Sequence, residues 1–134
     1  MSDPYESIVL LGAGVSTTPK ALSQQIEKAL KSSTPKPVIA IDGEQITISY
    51  AGFSFQISLI TNNSQVEERR LMAHYFGTER GDIDQITKAQ SYYDIRSTGT
   101  DHSQPHKNDY TKILGQIGAL GQSWALTPHG YINS

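Results

Sequence analysis

The sequence predicts one α+β domain, a mainly antiparallel sheet with about three helices packed on it. Three observations lead there. Residues 45–61 spell a β-hairpin: Ile46, Ile48 and Tyr50, then Phe53, Phe55, Ile57 and Leu59, lie on one side, with Thr47, Ser49, Ser54, Gln56 and Ser58 between them. Successive strand side chains alternate faces, so this spelling gives two strands with one apolar and one polar face. Stretches near residues 18–31, 65–76 and 108–120 carry apolar residues at helical spacing and supply the cover that an apolar sheet face needs. Finally, 134 residues suit a single domain that buries a core without disulfides or metal.

The elements follow in order. Residues 7–11 form a short apolar run that stops at Gly12-Ala13-Gly14, as a buried strand ending in a glycine turn does. Thr18 and Pro19 suit an N-cap and first helical position, and Leu22, Ile26, Ala29 and Leu30 then recur at helical spacing. Two prolines between residues 32 and 37 force a loop. A strand over 38–41 and the turn dipeptide Asp42-Gly43 lead into the hairpin, whose inward side carries Ile48, Phe55 and Ile57.

Ser64 and Glu67 have the spacing of a capping box before a second helix through Val66, Arg69, Met72, Ala73, Tyr75 and Phe76, which Gly77 can end. Residues 90–97, with Tyr92, Tyr93 and Ile95, read as a strand with less clean alternation. Residues 97–107 are polar and read as an exposed loop. Asn108 is placed to cap a third helix through Tyr110, Ile113, Leu114, Ile117 and Leu120. Gly115, Gly118 and Gly121 run along it, so either the helix is weak or something approaches its backbone closely. A last strand and turn follow, with Trp124 as the largest apolar anchor. The order β-α-β-β-β-α-β-α-β resembles an elaborated split-βαβ layout, with the helices chiefly on one face.

Composition narrows the function. Eleven Lys and Arg against thirteen Asp and Glu give a net charge of −2 without a long run of either sign, which argues against nucleic acid or an anionic membrane as partner. There is no cysteine, which removes thiol catalysis, thiolate zinc sites and disulfides, and fits a reducing compartment. The start Met-Ser-Asp-Pro-Tyr-Glu lacks the basic residues of a signal segment, and the run at 8–11 is too short to span a membrane, so a cytoplasmic protein is expected.

Candidate sites are few, and none forms a complete catalytic set. Gly12-Ala13-Gly14 between a strand and a helix resembles the start of a dinucleotide-binding turn, but the third glycine is missing and a meander follows where a βαβ unit is required, so it reads as an ordinary strand-to-helix turn. Asp101, His102, His106 and Asp109 include metal-ligating types, yet Pro105 opposes one helix across both histidines and the spacing matches no metal signature. The alternative reading, a small metal- or ligand-binding domain, would use this 101–109 loop. His74 reads as a helix-face residue rather than a base. No cofactor is expected. Arginines 69, 70, 80 and 96 among acidic residues spell either a solvated surface or a docking face for another protein. Expected exposure and hot-spot chemistry single out Arg69, Arg70, Tyr93, Arg96, Asp101 and His102 as partner-binding candidates. A structural homodimer through an exposed strand edge or the glycine-lined helix is a further reading.

Asn108-Asp109-Tyr110, the apolar positions Ile113, Leu114, Ile117 and Leu120, and Trp124-Ala125-Leu126-Thr127-Pro128-His129-Gly130 together form one pattern. It resembles the C-terminal part of several small bacterial immunity-protein families, in which a polar loop leads into an Asn-Asp-aromatic helix start, a leucine-rich helix and a strand ending in Asp-Pro-x-x-Gly. Thr127 stands where that pattern has Asp, and one residue separates Pro128 from Gly130. The resemblance implies a non-enzymatic domain that neutralises a cognate toxin by binding it.

Overall fold

The computed structural model describes residues 5–15, 17–33, 36–75, 86, 88–99, 106–121, 123–127 and 130–132. It has strands β1 (Glu6–Leu11), β2 (Val38–Asp42), β3 (Gln45–Tyr50), β4 (Phe53–Ile60), β5 (Ser91–Gly99), β6 (Ser123–Thr127) and β7 (Gly130–Ile132), and helices α1 (Pro19–Ala29), α2 (Asn63–Tyr75) and α3 (Lys107–Gly118). All seven strands join one sheet in the order β2-β3-β4-β5-β1-β6-β7, and every neighbouring pair is antiparallel. The chain is therefore α+β. Four antiparallel steps separate β1 from β2, so α1 connects two strands of the same direction with β5, β4 and β3 between them. No helix among the described residues is long and apolar enough to cross a membrane.

The hairpin forms in the expected register: Ile46 faces Ile57 and Ile48 faces Phe55, and all four are fully buried. Its turn is Ala51-Gly52, where Gly52 takes a positive φ of 73° that disfavours a side chain. Gly99 ends β5 beside this turn with φ 101°, and a Cβ on it would collide with the Gly52 carbonyl oxygen. The turn before β3 lies one residue later than expected. Asp42 pairs with Gln45, which leaves Gly43 and Glu44 as the loop residues, and Gly43 has φ 61°.

One face of the sheet carries the main core. Val9 and Leu11 of β1, Ile46, Ile48, Phe53, Phe55 and Ile57 of the hairpin, and Tyr93 and Ile95 of β5 pack there against Leu22, Ile26 and Leu30 of the α1 segment and Ile113 and Ile117 of α3. α1 starts as its sequence dictates: the Thr18 hydroxyl accepts from the Ala21 amide at 3.1 Å, and Pro19 occupies the first turn.

α2 departs from the expected one-sided packing, because it lies on the opposite face. There Val66 joins Leu10, Tyr92, Trp124, Ile86 and Ala89. Leu10 and Tyr92 are the neighbours in sequence of residues that face the main core, and strand alternation sends them the other way. Both faces are covered at this place, which is why β1 reads as a continuous apolar run and why Tyr92-Tyr93 blurs the alternation of β5.

Two caps also differ. Asn62, not Ser64, caps α2: its side-chain oxygen accepts from the Ser64 and Gln65 amides at 3.1 and 3.3 Å. α3 begins one residue before Asn108, with His106 at the cap position and no side-chain capping bond. Among the described residues nothing lies within 4 Å of a Cβ built on Gly115 or Gly118, so no close approach there accounts for them; at Gly121 a Cβ would meet Val15 Cγ2 at 2.8 Å. Phe76 and Gly77, the expected end of α2, lie outside the described residues.

Candidate functional site

Three places carry polar or exposed chemistry. The first is a buried cluster at the start of α3. Asp109 is 7% exposed, and its two carboxylate oxygens accept from the Ser33 hydroxyl at 2.7 Å and the Tyr50 hydroxyl at 2.5 Å. It also sits in the first turn of α3, where the helix dipole favours negative charge. His106 is equally buried, with its ring stacked on Phe53 at 4.6 Å and tilted against Tyr50 at 4.1 Å between centroids. Next to it the Tyr110 hydroxyl donates to Ser7 Oγ at 2.8 Å, and burial pushes the Tyr110 hydroxyl pKa above its ordinary value. Serine, histidine and aspartate types meet here, but the one hydroxyl hydrogen of Ser33 is committed to the carboxylate rather than to the imidazole. What the cluster does is tie α3 to β3 and to the segment after α1 through charge-assisted hydrogen bonds.

The second place is the part of the sheet that α2 leaves bare. On the α2 face, Ile60, Tyr92, Leu10 and Trp124 form one row across β4, β5, β1 and β6, and this row carries the small core. The next row, with Ser58, Asp94 and Ile8, is mixed, and the rows beyond that are mainly polar. Ala40, Thr47, Gln56, Arg96 and Glu6 stand side by side, and Val38, Ser49, Ser54 and Thr98 form the outermost row. Gln56 bonds both Ser54 and Thr98, and Arg96 pairs with Asp94 at 3.3 Å. This floor runs out to β2, an edge strand on which Val38 is 70% and Ile41 44% exposed.

The third place is a cleft of about 810 Å³ where β1 ends and β5 begins, bounded by the Gly12-Ala13 turn, Asn63 and Arg70 of α2, and Lys88.

The structure separates the partner-binding candidates. Tyr93 is not exposed: it is fully buried in the main core, its hydroxyl 3.3 Å from Thr17 Oγ1, because its strand position faces α1 and α3. Arg69 lies over the ring of Tyr92 at 5.6 Å, Arg70 lines the cleft, and Arg96 is on the bare floor, so all three share the α2 face without forming one cluster. Asp101 and His102 lie outside the described residues. Of the loop considered for metal, His106 and Asp109 are engaged as above, and no group of three potential ligands occurs among the described residues. The side chain of His74 is likewise outside them.

Sequence reasoning missed the cleft and the bare floor as places. Asn63, Arg70 and Lys88 come together only through the pairing of β4 and β5, which no local pattern encodes. The floor was legible as the polar half of the hairpin, but not as uncovered surface. Compared with known proteins, the chain matches no family model, no curated protein and no solved structure.

Proposed function

We propose that this chain is a non-enzymatic protein-binding module and, on its C-terminal resemblance, an immunity protein that acts in the cytoplasm by binding and neutralising a toxin. The observation that carries the binding reading is the bare sheet face running into the apolar edge of β2. An edge strand offers a row of backbone donors and acceptors, and exposed apolar residues on it invite pairing with another chain. β2 has no charged residue between Val38 and Ile41 to discourage this. The occupant we assign is an extended segment of the partner protein, added to β2 as a further strand. Arg96 and Arg69, on the same face at β5, supply charge that steers the encounter.

The test is co-expression with the product of the neighbouring reading frame, followed by pull-down and growth rescue. Val38→Lys should weaken the complex by about ten-fold or more, since an edge lysine opposes strand addition. The fold should be unaffected, because Val38 is largely exposed. Binding unchanged in the variant, or a toxin-like product that neither co-purifies nor is neutralised, refutes the reading. Sedimentation of the chain alone distinguishes the homodimer: self-association that Val38→Lys abolishes would replace the toxin by a second copy of this chain.

A further inference from the structure

We infer, on the reading of β2 as the docking edge, that the strand added there runs antiparallel to β2, carries apolar residues opposite Ile41 and Ile39, and ends in acidic residues that meet lysines around α1. Strand register shows which backbone groups are open to it. The Leu59 amide donates to the Glu44 carbonyl at 2.9 Å, so Glu44 is turned towards β4 and the next residue, Gln45, towards β2. Bonding direction alternates along a strand, so Gln45, Thr47 and Ser49 bond their partners Asp42, Ala40 and Val38. The amides and carbonyls of Ile39 and Ile41 consequently point away from β3, and among the described residues no strand lies beyond β2.

The same two residues set the side-chain pattern. Ile39 and Ile41 pair with the fully buried Ile48 and Ile46, so their side chains lie on the face under α1. Ile39 packs against the main core, whereas Ile41 is 44% exposed, and the apolar row ends unfinished at the edge. Apolar side chains opposite Ile41 and Ile39 continue that row. The residue between them turns to the other face, beside exposed Ala40, where a polar side chain fits. Pro37 has no amide hydrogen to offer, so paired bonding stops at Ile39.

Charge enters at that end. A groove of about 430 Å³ between α1 and the start of β2 is lined by Gln24, Gln25, Glu27, Lys28, Lys31 and Lys36. Three lysines stand there against one glutamate, in a chain whose net charge is −2. All three are exposed, and none forms an ion pair among the described residues. Lys28 lies in the last turn of α1, where the helix dipole favours a cation, but Lys31 and Lys36 lie beyond the helix. An antiparallel segment brings its C-terminal end to Val38, next to Lys36, and every neighbouring pair in this sheet is antiparallel. Cations at that end of the edge select a segment with carboxylates there.

Fluorescence anisotropy with the full chain tests the assignment on a labelled synthetic peptide, Thr-Val-Thr-Val-Thr-Glu-Glu. Saturable binding is expected, and the same peptide ending in Lys-Lys should bind at least about ten-fold more weakly. N-methylation of both valines removes the donors aimed at Ile41 and Ile39 without changing charge, and should abolish binding. Lys31→Gln with Lys36→Gln should weaken the acidic peptide about five-fold, whereas Lys107→Gln with Lys112→Gln, an equal charge removed from α3, should leave it unchanged. Urea melts of each variant show that the fold is retained. Equal binding of the N-methylated and parent peptides would remove strand addition at β2 itself, and this inference with it. Binding that N-methylation abolishes but that the Lys-Lys peptide matches would keep strand addition and overturn the acidic assignment. Equal losses in the two double variants, or no saturable binding of the acidic peptide, overturn it as well; the pull-down with Val38→Lys then decides separately whether β2 is the docking edge. A dimer in sedimentation that excludes the peptide would give the edge to a second copy of this chain instead, which also overturns the inference.

Discussion

The two faces of the sheet are built from the same strands and do different work. On the face under α1 and α3, apolar side chains extend from β1 through β5, β4 and β3, joined by Ile39 at the edge strand. On the α2 face the apolar cover is the row from Ile60 to Trp124 with Ile8 beside it, and beyond these Ser, Thr, Gln, Asp and Arg stand in half-buried to exposed rows. The larger core, and with it most of the burial, therefore lies on the first face. Antiparallel sheets commonly divide this way, one face against the core and one towards water. Here the division runs across a single face as well, because α2 covers one end of it.

The largest test of this division is Phe55→Ala. Phe55 is fully buried and touches the rings of Tyr5, Tyr50, Phe53 and Tyr110. Its truncation should cost about 3 to 5 kcal/mol in urea melts, from lost burial and the cavity left behind. A loss below about 0.5 kcal/mol, the scale of surface substitutions, would show that this face is not the one holding the fold together.

What the sequence disclosed and what it concealed follow the same boundary. The hairpin was legible because its partners differ by face: Phe55 inward and Gln56 outward is a local, period-two signal. The start of α1 was legible because Thr18-Pro19 acts on adjacent residues. Tyr92-Tyr93 was not, since two neighbouring aromatic residues can both be buried only where helices cover both sides of the strand, and the placement of α2 is a tertiary fact. Tyr93 consequently passed for an exposed anchor. The cap of α2 was misassigned because Ser64 and Asn62 are both competent acceptors, and geometry alone chose Asn62. The cleft was hidden for a related reason: Gly12, Arg70 and Lys88 meet through strand register.

A second test uses pH. Tyr93 and Tyr110 both lie on the helix-paired side, and burial raises both hydroxyl pKa values above the ordinary 10.0. A coulombic contribution acts in the same direction, from Glu44 on Tyr93 and from Glu6 on Tyr110, while their hydroxyl partners Thr17 and Ser7 oppose it. The unfolded chain then loses these protons first as pH rises, so the folded state holds more protons near and above pH 10. Stability contributed by the neutral hydroxyls is full below that value and declines as pH climbs through it towards the raised pKa values. Urea midpoints should fall more steeply between pH 9 and 11 for the parent chain than for the Tyr93→Phe, Tyr110→Phe double variant. Identical slopes would mean that neither hydroxyl is desolvated.

The smallest expected effect is the most informative about the bare floor. Gln56 follows Phe55 in β4 but faces the other side of the sheet, across from Thr47 and Arg96, and its half-buried amide bonds Ser54 and Thr98. Replacing it with Ala removes hydrogen bonds that water can replace, so the change in stability should stay within about 0.5 kcal/mol. The same holds for Arg96→Gln, whose ion pair with Asp94 is screened at an arginine side chain that is 56% exposed. Two silent substitutions on the floor, against a severe one a single residue away at Phe55, would establish that the polar rows are not retained for folding. A loss above about 1 kcal/mol at Gln56 would reverse that conclusion: the Ser54–Gln56–Thr98 chain would then hold β4 to β5, and the exposed row would be part of the scaffold instead of a surface kept open for a partner.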